Sequence, residues 1–427
     1  MNVRRRDFLK YVGTGTIAST LPADRLFSRE GELSGEQKLH HDYQSNNEGT
    51  EYYVLGNGLI FAALQSSDKP EAGTHAGLLL MSPEHFGRKI STYLYHPERG
   101  LQNSRATVVI EGKGYVPEPG NSAITWEYPH MVPTIVMKWK AGECSVREEL
   151  VCPIDDPVLF RNVTVKNTTT RPLDPTLTVL LYPNLMYFDE YNVDRERATL
   201  EARGYKSMQL FSLSEATAGD RHLSIRFGRI DPGKSGTVTV VLTLDLTRKE
   251  FESKGMDRMM EATRTYWSKP ASVATGRDDL DHLVRVATSG IRAAVARSGK
   301  MDGSIWQYNL EWVRDQSMVA VGAAMSGQPE IAEALLKRIL TRSVDESGKT
   351  VDASRHRPPE TIELDQNGEL LYALYMHWVW SGNDSIIREH WKKIKNVADY
   401  VLQPVFMEPE IGLVKNSREY WERDPAF

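Results

Sequence analysis

Apolar positions along this chain follow two different periods, and the change falls near residue 250. Between 49 and 250 they recur every second residue in short runs, as in half-buried strands. Gly236–Leu246 and Leu159–Val165 alternate in this way, and similar runs occupy 51–55, 106–111, 134–140, 175–182 and 222–229. Turn signals such as Pro117-Glu118-Pro119-Gly120 and Pro232-Gly233 separate the runs, which predicts a large antiparallel sandwich.

Beyond 250 the period becomes helical. A connecting helix is predicted over 251–268, then helices over Leu280–Ala296 and Val313–Met325. Ser326-Gly327-Gln328-Pro329 closes one helix and opens the next, which carries Ala332, Leu335, Leu336, Ile339 and Leu340 on one face. Leu370–Trp380 ends at Ser381-Gly382, and Asn383 or Asp384 caps a helix burying Ile387, Trp391, Ile394, Ala398 and Val401. Trp380 and Trp391 read as core. Two tight joints of this kind indicate stacked αα-hairpins. The class is therefore α+β and multidomain: 1–27 signal peptide, 28–48 linker, 49–250 β domain, 251–270 linker helix and 271–427 helical domain.

Composition narrows the partners. With 427 residues the chain exceeds one small domain, and its net charge of −5 offers no basic surface to nucleic acid. No apolar run reaches the length of a spanning helix. Arg5-Arg6-Asp7-Phe8-Leu9-Lys10, followed by a modestly apolar stretch to Leu21, has the layout of a twin-arginine export signal. It implies the twin-arginine (Tat) export machinery as a partner and a bacterial periplasmic or extracellular location. Cys144 and Cys152 would lie roughly 26 Å apart if one strand joins them, too far for a disulfide, so both are expected free and buried. No Cys/His cluster has metal-ligand spacing, and neither metal nor cofactor is expected.

Candidate chemistry concentrates at Glu311-Trp312-Val313-Arg314-Asp315 and at Tyr420-Trp421-Glu422-Arg423-Asp424. Trp306, Tyr308, Trp312 and Trp421 offer aromatic faces to sugar C–H surfaces. The Arg314 fork and the Asp315 carboxylate suit vicinal hydroxyls. The alternative for Arg314 and Asp315 is a structural pair holding a helix start, while Asp365 reads as a helix-capping or loop-ordering residue rather than a catalytic one.

These motifs, with Leu364-Asp365-Gln366-Asn367-Gly368 between them, resemble the glucoamylase and glucodextranase group, glycoside hydrolase family 15, and more loosely other six-hairpin glycosidases. The resemblance implies a β-supersandwich followed by an (α/α)6 toroid, here incomplete: about five helices are read against twelve, so the chain reads as C-terminally truncated. It implies that Trp312, Arg314 and Asp315 floor the −1 subsite and that Glu422 is the general acid. It also implies an exported hydrolase acting with inversion at the non-reducing end of an α-glucan. The family's catalytic base would lie beyond Phe427, with Glu311, Glu360 and Glu363 as substitutes within the chain. A six-hairpin phosphorylase and a non-catalytic sugar-binding fragment are the alternatives. A partial toroid would expose apolar helix faces.

Overall fold

The computed structural model describes residues 50–71, 74–85, 104–118, 120–183, 188–270, 273–303, 310–350 and 364–414. The chain divides into two compact units, 1–43 and 44–427, and every described residue belongs to the second.

The β part begins with a sheet of β1 (Thr50–Gly56), β2 (Phe61–Glu71) and β3 (Thr74–Met81). A second sheet has the order β14-β15-β10-β4-β5, formed by β4 (Ala106–Ile110), β5 (Lys113–Tyr115), β10 (Thr176–Leu180), β14 (Ala216–Ala218) and β15 (His222–Arg226). The largest sheet takes in β6 (Ala123–Glu127), β7 (Thr134–Ala141), β8 (Cys144–Val151) and β9 (Val158–Lys166). It is completed by β11 (Phe188–Asp194), β12 (Thr199–Gly204), β13 (Ser207–Ser212) and β16 (Ser235–Leu244), in the order β11-β12-β13-β16-β9-β8-β7-β6. All pairings within these sheets are antiparallel.

Alternation decides what each face does. Leu159, Val163 and Val165 of β9 join Val238, Val240 and Leu242 of β16 in the core shared with Val108, Leu177 and Ile225 of the second sheet. The opposite face of the same strands, Val158, Phe160 and Val241, is covered by helices. These are α1 (Arg248–Lys254) and α2 (Met256–Trp267), and Phe251 of α1 packs edge-on against Phe160 and Phe211 at ring-centroid distances of 6.0 and 5.3 Å. Cys144 and Cys152 are free and buried, as the spacing required.

The single connecting helix expected over 251–268 is two. Gly255, at φ 78°, ends one helix and starts the next, a backbone turn that a residue with a Cβ resists.

Helix α3 (Asp278–Ala294) packs Ala293 against Phe61, Ala63, Leu79 and Met81 on the outer face of the first sheet. Hydrogen bonds tie the two parts together: Arg297 N–H donates to Gly58 O (3.1 Å), and the Thr263 hydroxyl accepts from Ile154 N–H (2.9 Å). Next come α4 (Val313–Met325), α5 (Pro329–Arg342), α6 (Asp365–Ser381), α7 (Ser385–Glu389) and α8 (Trp391–Val401), which share one core. Ala332, Leu335, Leu336, Ile339 and Leu340 of α5 all lie in it. A short hairpin of β17 (Met407–Glu408) and β18 (Leu413–Val414) follows.

The last predicted helix needs correction. It breaks at His390, which resets the helical phase, so Ile386, Ile394 and Val397 are buried and Trp391 is 61% exposed. Trp380, also expected in the core, is 53% exposed. Asn383 accepts the Ser385 N–H at 3.0 Å, while Asp384 pairs with Arg388. Met318 and Met325 of α4 and Tyr372, Tyr375 and Val379 of α6 face outward. The coarse expectation of antiparallel sheets followed by helices therefore holds.

Candidate functional site

Trp312 is the N-cap of α4, with extended backbone angles, and its carbonyl accepts the Gln316 N–H at 3.0 Å. The helix forms here because small and apolar residues follow: Val313, Ser317, Ala320, Val321, Ala323 and Ala324 are buried against α5 and α6. Arg314 and Asp315 occupy its first turn, where the macrodipole favours a carboxylate.

The first turn of α6 comes to meet them. Asp365 is its first residue, and its Oδ2 lies 3.4 Å from Arg314 Nε. Asp365 is therefore an ion-pair partner across two helices and makes no capping bond of its own. Both its carboxylate oxygens are shielded from solvent and accept no hydrogen bond within the described residues. The Arg314 side chain is 16% exposed.

Glu369 lies one helical turn further along α6. Its Oε2 is likewise shielded and without a hydrogen-bond partner among the described residues. Burial, reinforced by the Asp365 charge and opposed by Arg314, pushes its carboxyl up to about 7. Burial also pushes the Asp315 carboxyl up, against the pull of Arg314. Asp315 is nevertheless exposed to water at the helix start. Sequence reading missed Glu369. The available signal was the i, i+4 spacing of two acids across Gly368 on a helix otherwise apolar beyond its first turn.

Glu311, one of the possible substitute bases, is occupied elsewhere. Arg338 of α5 grips it by two bonds, Nε to Oε2 at 2.5 Å and Nη2 to Oε1 at 2.7 Å. Burial pushes this carboxyl up, but the Arg338 bonds and charge outweigh burial and hold it below its ordinary value. A base must be able to take a proton, and this carboxylate is held ionised by its partner.

Of the sequence-predicted residues, Trp312, Arg314 and Asp315 come together, and Asp365 joins them. Trp306, Tyr308, Trp421 and Glu422 lie outside the described residues, as do Glu360 and Glu363. Among the described residues no group of three or more His, Cys, Asp or Glu is arranged to hold a metal ion. The arrangement presents one guanidinium and one water-accessible carboxylate at the shared end of two helices, a surface able to accept from and donate to several hydroxyls at once.

The fold has known counterparts. A solved chain assigned as a kojibiose phosphorylase, from human microbiome, superposes with a TM-score of 0.51 at 8% identity, over 82% of this chain and 56% of that one. At this identity the likeness is one of fold. A bacterial glucoamylase solved with acarbose is more distant, with a TM-score of 0.49 at 11% identity, over 84% of this chain and 60% of that one. In sequence, Trehalase 1 of Sulfolobus acidocaldarius is 27% identical over 207 residues, 41% of this chain and 35% of the trehalase. No protein-family model matches the chain. The chain thus spans about a third of the trehalase and a little over half of each solved structure.

Proposed function

We propose that this chain belongs to a carbohydrate-active enzyme, a bacterial glycoside hydrolase exported by the twin-arginine route. It acts with inversion at the non-reducing end of an α-glucan or related oligosaccharide. The β-supersandwich supports an (α/α)6 toroid whose first helices are α3 to α8. The observation that carries the reading is the meeting of Arg314 and Asp365 at the N-terminal ends of α4 and α6, beside Trp312 and Asp315.

In this reading Arg314 and Asp315 hold the hydroxyls of the terminal sugar, and Trp306, Tyr308, Trp312 and Trp421 stack on its faces. Glu422 protonates the glycosidic oxygen as the bond breaks. A second carboxylate activates water on the opposite face of the ring. Inversion follows because water attacks from the side opposite the leaving group.

Phosphorolysis is the second reading, favoured by the likeness to a kojibiose phosphorylase. Phosphate would then take the place of water and base. One assay separates the two. The protein expressed from its full reading frame is given maltooligosaccharides, trehalose and kojibiose with and without inorganic phosphate, beside Glu422→Gln. Release of the inverted anomer without phosphate, lost in the variant, supports hydrolysis. A strict phosphate requirement supports the second reading. Sugar binding without turnover under either condition leaves only a carbohydrate-binding role.

A further inference from the structure

Among the described residues the carboxylates at this floor outnumber the cation that faces them. Asp315 of α4 and Asp365 and Glu369 of α6 surround Arg314, and these are the charges that bear on Glu369 among the described residues. Three ionised carboxylates around one guanidinium would leave two uncompensated negative charges in a partly dehydrated place, so the least solvated, least paired acid keeps its proton. Asp315 is exposed, and Asp365 is in ion-pair contact with Arg314. Glu369 also feels the pull of Arg314, but it is less exposed than Asp315 and makes no ion-pair contact among the described residues.

The hydrogen-bond account points the same way. Asp365 Oδ1 and Glu369 Oε2 are both shielded from water and both lack a donor among the described residues. They belong to side chains one helical turn apart on the same face of α6. A single proton on Glu369 supplies the donor that this pair of oxygens lacks.

Building on the sugar-floor reading above, we propose that Glu369 is a positioning residue. As a neutral carboxylic acid it donates to Asp365 and so fixes the Asp365–Arg314 pair in the orientation that receives sugar hydroxyls. Ionisation of Glu369 would remove that donor, set two like charges one turn apart and draw Arg314 toward α6. Its upward-shifted carboxyl then makes sugar affinity fall as pH rises through about 7. Specificity at the floor is in this way coupled to an acid that never touches the sugar.

Two readouts on the full chain test this. Infrared difference spectra between about pH 5 and about pH 9 should show a protonated-carboxyl band that disappears in Glu369→Gln. Its absence from the wild type overturns the proposal whether or not sugar binds. Calorimetric titration with maltotriose should show affinity about 10-fold or more weaker in Glu369→Ala, rescued in Glu369→Gln, which donates through its amide and loses the pH dependence. An alanine variant that lowers Tm but leaves affinity intact means a structural role only and refutes the assignment. A glutamine variant as weak as alanine means that the ionised form is the one required, and refutes it equally. Wild type that binds no sugar overturns the functional reading and the positioning role together, while the infrared band still reports the protonation state.

Discussion

Arg338 of α5 holds Glu311, the residue just before the Trp-Val-Arg-Asp start of α4, through the Nε and Nη2 donors along one edge of its guanidinium. The side chains are 20% and 15% exposed, so the pair is largely removed from water. It fixes the chain that leads into Trp312, Arg314 and Asp315. Replacing Arg338 with alanine leaves a partly buried carboxylate without its main partner, at a cost of about 2–4 kcal/mol. We expect a drop in Tm measured by differential scanning calorimetry. Glu311→Gln, which keeps one acceptor for Arg338, should cost less and leave the pH profile of any turnover unmoved. A profile that shifts in Glu311→Gln would restore that residue as a base.

Arg314 is the side chain for which lysine is a poor substitute. Its Nε faces Asp365 while the rest of the planar fork remains oriented by that contact, a geometry an ammonium on a flexible stem lacks. Arg314→Lys should weaken maltotriose binding by about 10- to 100-fold, or about 1.4–2.8 kcal/mol, with little change in Tm. Titration calorimetry beside thermal melts reads both. Loss of stability without loss of affinity would identify Arg314 as a structural clamp between α4 and α6.

How far the sequence reaches depends on whether a residue's role is local. The bounds of α4 were legible because an extended Trp312, charged first-turn residues and a run of small apolar ones all act within one helix. Strands β9 and β16 were legible by alternation. Strands β2 and β3 were not, since Phe61 and Ala63 pack against Ala293 while Ala62 and Leu64 enter the large core, leaving an unbroken apolar run. Trp391 was misread because one helical period was carried through His390, where the structure changes phase. Glu369 was missed because its surroundings are tertiary: nothing near it in sequence announces Arg314, fifty-five positions earlier. The general acid assigned to Glu422 lies outside the described residues.

A buried polar network inside the β part gives a stability test remote from the site. Glu148 of β8 is 2% exposed and accepts from Trp139 Nε1 (2.8 Å) and Arg161 Nε (2.8 Å), while Arg161 Nη1 reaches Ser104 O at 3.1 Å. Register explains the meeting, since Trp139 lies opposite Val146 and Arg161 opposite Leu150, on either side of Glu148 on the same face. Glu148→Leu strands the Arg161 charge and the Trp139 N–H together and should cost about 3–5 kcal/mol. Trp139→Phe removes one donor and should cost about 1–3 kcal/mol. The double change Glu148→Leu with Arg161→Met should recover much of the loss, because no buried charge remains. Urea unfolding at constant m-value measures all three, and a double variant as unstable as the single would refute the charge argument.

Gly299 tests how tightly the chain leading toward α4 is held. Its φ is +78°, and a Cβ there would collide with the carbonyl oxygen of Ala334 in α5. Its N–H donates to Ala296 O at 2.9 Å, closing the turn that follows α3. Gly299→Ala therefore combines backbone strain with a steric clash and should destabilise by about 2–4 kcal/mol. Because α5 also carries Arg338, the displacement should loosen the Glu311 contact. We expect faster amide exchange at the start of α4 in this variant, and unchanged exchange would separate the two features.

Glu369 should also write its protonation into stability. Its carboxyl is raised from the ordinary 4.5 to about 7 in the folded chain, first by burial and then by Asp365. An acid whose folded value is raised favours the folded state fully at low pH, where it is protonated in both states. That advantage erodes as pH climbs from the unfolded value, and above the folded value the ionised carboxylate opposes folding. The window is thus about 4.5 to about 7, opposite in sense to that of Glu127. There, bonds from Arg147 and then Lys138 lower the carboxyl to about 2, and stability is lost only in acid. Glu127 is a third exposed, which screens its contribution. Glu369→Gln removes the titration without removing the side chain. It should leave Tm nearly unchanged at about pH 5 and raise it by a few degrees at about pH 8, where wild type carries the unfavourable charge. Melts across that range, with Glu127→Gln as the opposite control, give the sign directly. A glutamine variant less stable than wild type at the alkaline end would mean that the ionised carboxylate is compensated in the folded chain.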